Sequence, residues 1–261
     1  MKSVIKKCIS CVFKISDGIT KQPLTASALH IYVDGIPAKF QYKPGGYFIL
    51  IDLEEGMHAI SMRSHLYQTE AFEIMVDYNV VQRPESMVRY IVLNPSAKHP
   101  RASAMPSVRG IAEGFERIYL QRRGGEMKIA EDDATEGKLV MRLFCPKSGA
   151  VLPSVYLIND KSAARCEFVM LKGADEDMYM LQTPLKHAHP RSADVIPLTG
   201  VSCAADGSFY FILPPDLTAE KGVESSMLTI LAEKDDKLYR AEVTANSKGM
   251  TDLGMIKFKK G

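Results

Sequence analysis

Hydrophobic and polar residues alternate with a period of two along the first third of the chain. Over residues 4–16, Ile9, Cys11, Phe13 and Ile15 fall on one side, and Ser10, Lys14 and Ser16 on the other. That period predicts a strand with one covered face. Asp17-Gly18 turns the chain, and a second strand, 29–33, ends at Asp34-Gly35. Asp-Gly favours a tight hairpin because glycine accepts positive φ, so 38–42 is expected to pair back. Lys43-Pro44-Gly45-Gly46 turns again before Tyr47-Phe48-Ile49-Leu50-Ile51, an unbroken apolar run that suits the middle of a sheet. After a turn at Glu54-Glu55-Gly56, further strands are expected at 58–62, 68–76 and 87–93, ending at Asn94-Pro95. Short strands at this spacing, with turn residues between them, predict a β-sandwich. No helical period of useful length interrupts them.

Residues 96–137 change character. Pro95, Pro100 and Pro106 discourage regular structure, and a basic group (Lys98, Arg101, Arg109, Arg117, Arg122, Arg123) precedes an acidic one (Glu126, Glu131, Asp132, Asp133, Glu136). Residues 117–121 and 126–130 flank Arg123-Gly124-Gly125, a spacing that predicts a short hairpin docked on a domain or partner. From Lys138 the strand pattern resumes at 139–144, 155–158, 167–171 and 178–181. A polar insertion with three prolines follows over 182–205. Strands are then expected at 208–213, at 227–232 and 238–243 across Lys234-Asp235-Asp236-Lys237, and at 252–258. The pattern predicts an all-β protein: two tandem Ig-like or transthyretin-like β-sandwiches, 1–95 and 138–261, joined by a partly structured linker arm, 96–137.

The first domain resembles the carboxypeptidase regulatory-like family, also called transthyretin-like or prealbumin-like domains. The likeness rests on Asp17-Gly18 with Gln22-Pro23-Leu24, Ala28 to Gly35, Gly46-Tyr47-Phe48-Ile49-Leu50, Leu53-Glu54-Glu55-Gly56-Met57-His58-Ala59-Ile60 and Tyr67, within about residues 9–93. Gly45 stands where the family pattern has Asp. Asp252-Leu253-Gly254 at the chain's end is similar to the family's closing strand. The resemblance implies a seven-stranded sandwich that acts as a structural or interaction module, and implies no chemistry.

Composition narrows the function. A net charge of +2 gives no global field for nucleic acid or acidic membrane. The absence of Trp counts against a sugar-stacking face. Five cysteines, an odd number in a chain too large to need disulfide staples, fit a reduced, intracellular setting. The apolar run near the N-terminus is cut by Ser10 and ended by Lys14, too short for a secretion signal. The expected location is the cytoplasm, or a particle assembled there.

Candidate chemistry is thin. Cys8-Ile9-Ser10-Cys11 lacks a second ligand pair, and residues three apart on a strand face opposite ways. His187 and His189 share a face if extended, and Asp194 or Asp175 would supply a third metal ligand; a polar loop containing two histidines is the simpler reading. Asp175-Glu176-Asp177 lacks the spacing of a calcium loop. No nucleophile elbow, phosphate-binding loop or H-x-x-E zinc motif is present. Met170, Met178 and Met180 read as core packing. The sequence therefore predicts a non-enzymatic subunit of a larger protein assembly, without a cofactor, with a tail-like or contractile injection particle as the specific setting. The expected partners are other protein subunits or copies of itself, not nucleic acid, and no insertion into a membrane is expected. Arg117, Tyr119, Arg122, Arg123, Asp132 and Asp133 are the expected contact residues, docking basic against acidic groups of neighbouring copies. The alternative is a ligand- or glycan-binding accessory module acting through the 182–205 loop.

Overall fold

A computed structural model describes residues 8–79, 88–123, 127–131, 134–145, 154–175, 178–214, 217–218 and 224–261. The chain is all-β, in two compact units, Met1–His99 and Pro100–Gly261. Among the described residues, no helix is long and apolar enough to cross a membrane.

Among the described residues the first unit has eight strands: β1 (Ile9–Asp17), β2 (His30–Val33), β3 (Ile36–Pro37), β4 (Gln41–Lys43), β5 (Tyr47–Ile51), β6 (Gly56–Arg63), β7 (Glu70–Val76) and β8 (Val88–Leu93). They form two four-stranded sheets, β4-β5-β1-β8 and β3-β2-β6-β7, with β1 and β8 parallel. Phe13, Ile15, Phe48 and Leu50 from one sheet meet Ile31, Ile60, Met62 and Ile74 from the other in a single core. The predicted alternation of β1 is its observed burial from Cys11 to Ile15, whereas Ile9, expected on the same covered side, is exposed beyond a shift in the pairing with β5. The Asp34-Gly35 hairpin is present, both residues at positive φ, with Val33 opposite Ile36.

Where β1 ends, Asp17 is buried as the hub of the following turn. Its carboxylate accepts the amides of Ile19 (2.8 Å) and Thr20 (2.6 Å) and the Tyr67 hydroxyl (2.7 Å). Burial pushes this carboxyl up, but the hydrogen bonds from Thr20, Tyr67 and Ile19 outweigh it and hold it below its ordinary value.

The second unit has β9 (Ser107–Ile111), β10 (Arg117–Gln121), β11 (Met127–Ile129), β12 (Val140–Phe144), β13 (Ser154–Asn159), β14 (Glu167–Asp175), β15 (Met178–Leu181), β16 (Asp194–Ser202), β17 (Ser208–Ile212), β18 (Ser225–Lys234), β19 (Lys237–Asn246), β20 (Met250–Met255) and β21 (Lys259–Lys260). The strands β11, β12, β15, β14, β13 and β16 pair in succession, and β16 returns to β11. Among the described residues this closed ring has no free edge. Its interior is filled by alternate residues of each strand, among them Ile129, Met141, Tyr156, Ile158, Leu171 and Val195. The second half of β16 leaves the ring and pairs with β10, which pairs with β18; β19 and β21 follow. This sheet and the three-stranded sheet β17-β9-β20 enclose a separate core around Ile118, Leu120, Phe211 and Ile230.

Three expectations change here. The 96–137 segment is not an arm between two domains: it supplies β9, β10 and β11 to the second unit, because Val108, Ile118, Leu120 and Ile129 are core residues. Its two apolar runs do not pair as a hairpin, since β10 lies between β16 and β18 while β11 lies between β12 and β16. The 182–205 insertion is not all loop: β16 runs through it as a shared strand. Pro197, which argues against a central strand, sits where β16 passes from ring to sheet, and its carbonyl accepts the Arg122 amide at 2.9 Å.

Candidate functional site

A cleft in the second unit opens where the turn after β13 faces the β19–β21 edge. It encloses about 410 Å³. One wall comes from residues 159–166, the other from β19 and the last residues of the chain. The first wall is built from a buried polar group. Asp160 Oδ1 accepts the Ser162 amide (2.9 Å) and Arg165 Nη2 (2.9 Å), which closes the turn. Its Oδ2 sits 3.4 Å from His189 Nδ1. On the other side of that ring, Nε2 donates to Glu167 Oε1 at 2.7 Å. The remaining capacity of Glu167 takes the amides of Lys186 (2.9 Å) and His187 (3.1 Å). Asp160, Glu167 and His189 are all buried. They pin the segment before β16 against the ring, helped by the His189 amide donating to the Ala134 carbonyl.

Burial pushes both carboxyls up, and hydrogen bonds more than offset it. Those from Ser162, Arg165 and His189 hold Asp160 below its ordinary value, and those from His189, Lys186 and His187 do the same for Glu167. A depressed folded pKa stabilises the fold fully above the unfolded value, about 4 for a carboxyl, and that stability is lost as pH falls through the folded value. The urea midpoint of the second unit, followed by circular dichroism, should therefore fall as pH drops below about 4. A Glu167→Gln variant should show a shallower fall over the same window, and an unchanged slope would show that Glu167 does not contribute.

The second wall is basic. Lys161 from the first wall and Arg240, Lys257, Lys259 and Lys260 from the second surround the opening. Arg240 on β19 is directly opposite Lys259 on β21. The acidic residues at the rim point elsewhere: Glu242 accepts the Thr229 hydroxyl at 3.0 Å on both oxygens, and Asp160 is turned into the buried group. Cys166 lies at the cleft, half-buried. Burial raises its thiol above the ordinary value, which disfavours the thiolate form. All five cysteines are free, and burial pushes Cys11 to about 12 and Cys203 to about 11.

The residues singled out from sequence are dispersed. Tyr119 is buried and stacked on Phe168 at 4.4 Å, so it is a core residue and no surface contact. It lies over Gly200, its cross-strand partner, where a Cβ would come within 2.9 Å of the ring. Arg117 begins β10 opposite Ser202. Arg122 is half-buried beside Pro197, and Arg123 donates to the Met227 carbonyl at 3.3 Å. Asp132 and Asp133 lie outside the described residues. His187 and His189 do not share a ligand face: their rings are perpendicular with centroids 6.5 Å apart, and both nitrogens of His189 face carboxylates. Asp194 pairs with Lys128 at 3.4 Å, and Asp175 ends β14. Glu176 and Asp177 lie outside the described residues. Among those residues, no group of three or more His, Cys, Asp or Glu is arranged to hold a metal ion. Met170, Met178 and Met180 are not core residues: they alternate with buried Val169, Leu171, Tyr179 and Leu181 and face outward from the ring.

No family model matches the chain, and no curated protein matches it.

Proposed function

We propose that this protein is a non-enzymatic interaction protein, a subunit of a larger protein assembly. The observation that carries the reading is the pairing of exposed apolar side chains at sheet edges. In the first unit, Met57 on β6 lies opposite Met75 on the outermost strand β7, and both are more than half exposed. In the second, Met255 on the outermost strand β20 lies opposite Ile111, again both exposed. Methionine adapts its shape to a partner surface, and an outermost strand offers unpaired backbone for strand addition. A sandwich of the regulatory-like type in the first unit would suit such docking. The most specific form of the proposal, by analogy with tandem sandwiches in tail-like or contractile injection particles, is a subunit of such a particle.

Light scattering tests it on protein from its own source and on the recombinant chain. A large complex from the source, with a recombinant chain near 29 kDa, is the expected pair of results. Recombinant protein carrying Met57→Lys and Met75→Lys together should then fail to rejoin the dissociated source complex, with its urea midpoint unchanged. Monomers from both preparations would remove the proposal.

A further inference from the structure

We propose that the cleft between the 159–166 turn and the β19–β21 edge is a binding site for a small soluble phosphate compound. The carrying observation is the register of β19 against β21, which sets Arg240 and Lys259 directly opposite each other. Cross-strand partners share a face, and like charges in that position repel. Three further cations, Lys161, Lys257 and Lys260, line the same space, and none of the five forms an ion pair with a described residue. Nor is an acidic side chain of the lining spent on them. Glu242, two residues from Arg240 on the same face of β19, is held by Thr229, and Asp160 keeps both oxygens for Ser162, Arg165 and the His189 side. Elsewhere in this unit, cations near carboxylates are matched: Arg109 with Asp252 at 2.8 Å, Lys186 with Asp236 at 2.9 Å.

A doubly charged anion between Arg240 and Lys259 converts the repulsion into two charge-assisted contacts. Phosphate fits this lining best. The guanidinium presents a planar fork that bonds two phosphate oxygens at once, and the lysines add point charges around it. The volume, about 410 Å³, falls within the range of small-molecule sites. The walls are supported from behind: the Asp160 turn is locked by buried hydrogen bonds, and β21 is anchored by Phe258 packing on Phe115 at 4.7 Å. The site thus needs no rearrangement to receive its ligand.

The test uses the full chain, with inorganic pyrophosphate as the probe, titrated calorimetrically at low ionic strength. Wild type should bind one equivalent saturably. Arg240→Gln should weaken binding about tenfold or more, the value of one charge-assisted contact, and Lys161→Ala, on an exposed turn, should weaken it in the same direction without risk to folding. Lys128→Ala, whose partner is Asp194, should bind as wild type does. Lys259→Glu supplies an independent readout: by replacing repulsion with an ion pair it should raise the melting temperature of the ligand-free protein by roughly 1–3 °C, and pyrophosphate should no longer raise it further. Absence of saturable binding to wild type, or binding that Arg240→Gln and Lys161→Ala leave intact, would overturn the assignment.

Discussion

Glu167→Ala should destabilise the second unit by about 3–5 kcal/mol, the range for removing one partner from a buried charged group. Three donors converge on this carboxylate: His189 Nε2 at 2.7 Å and the amides of Lys186 and His187 at 2.9 and 3.1 Å. Truncation strands the buried His189 ring and leaves the two part-buried amides without their acceptor, and a donor stranded by burial costs about 1–3 kcal/mol. The loss does not stay local. The 185–189 segment is held on one side by Glu167, and on the other Lys186 reaches Asp236 in the β18–β19 turn. Releasing it frees both the strand that closes the ring and a tie to the neighbouring sheet. Glu167→Gln keeps the shape and part of the hydrogen bonding, so about 1–2 kcal/mol is expected. Glu242→Ala is the control, since among the described residues the hydrogen bonds of that exposed carboxylate go to Thr229. Urea unfolding followed by circular dichroism reads all three. An alanine variant within about 1 kcal/mol of wild type would mean that water replaces the lost carboxylate.

The first unit was legible because its signals are local. Period-two alternation in β1, Asp34-Gly35 and Gly45-Gly46 each act through neighbouring residues, and each reappears in the register. The second unit depends on pairings that sequence distance hides. β10 joins β16, about eighty residues further on, and β9 joins β20 in parallel across a still longer interval. Proline-containing runs in 96–137 and 182–205 carry linker-like composition, although their strands bury Val108, Ile118, Leu120, Val195 and Val201. Composition reports the average over a segment, whereas burial is decided residue by residue.

The buried polar group was partly readable. Glu167 occupies the same phase of β14 as Val169 and Leu171, both of which face the ring interior. A carboxylate in step with core residues requires donors, which marks it as paired. Asp160-Lys161-Ser162 has the spacing at which an aspartate accepts an amide two residues on. In the sequence His189 stands out only as a candidate strand mate of His187, whereas in the fold its ring faces Asp160 and Glu167. The basic cleft was not readable, because Arg240 and Lys259 become neighbours only through the register of β21, two residues long.

Gly46→Ala should cost about 3 kcal/mol or more in the first unit, and glycine controls in the same unit show why. Gly35 and Gly46 have nearly the same φ, +80 and +79. At Gly35 an added Cβ meets nothing within 4 Å, so Gly35→Ala should cost only the left-handed backbone penalty, about 1–2 kcal/mol. At Gly46 the same atom falls 2.6 Å from the Ile15 carbonyl and 2.9 Å from Pro23 Cβ. Neither can move freely. The Ile15 carbonyl accepts the Leu24 amide, and the Ile15 amide donates to the Gly46 carbonyl at 2.8 Å, so β1 and the turn before β5 are clamped together at this point. Gly45→Ala is intermediate, since its Cβ meets only the edge of the Tyr47 ring at 3.3 Å. The difference between the Gly46 and Gly35 variants reports chiefly the steric part of the cost, because both sites carry the same positive φ. If the two variants melt together, the approach of β1 to Gly46 is softer than the hydrogen bonds imply. If Gly46→Ala alone loses its transition, the close approach of Gly46 to Ile15 and Pro23 is what holds the turn before β5 against β1.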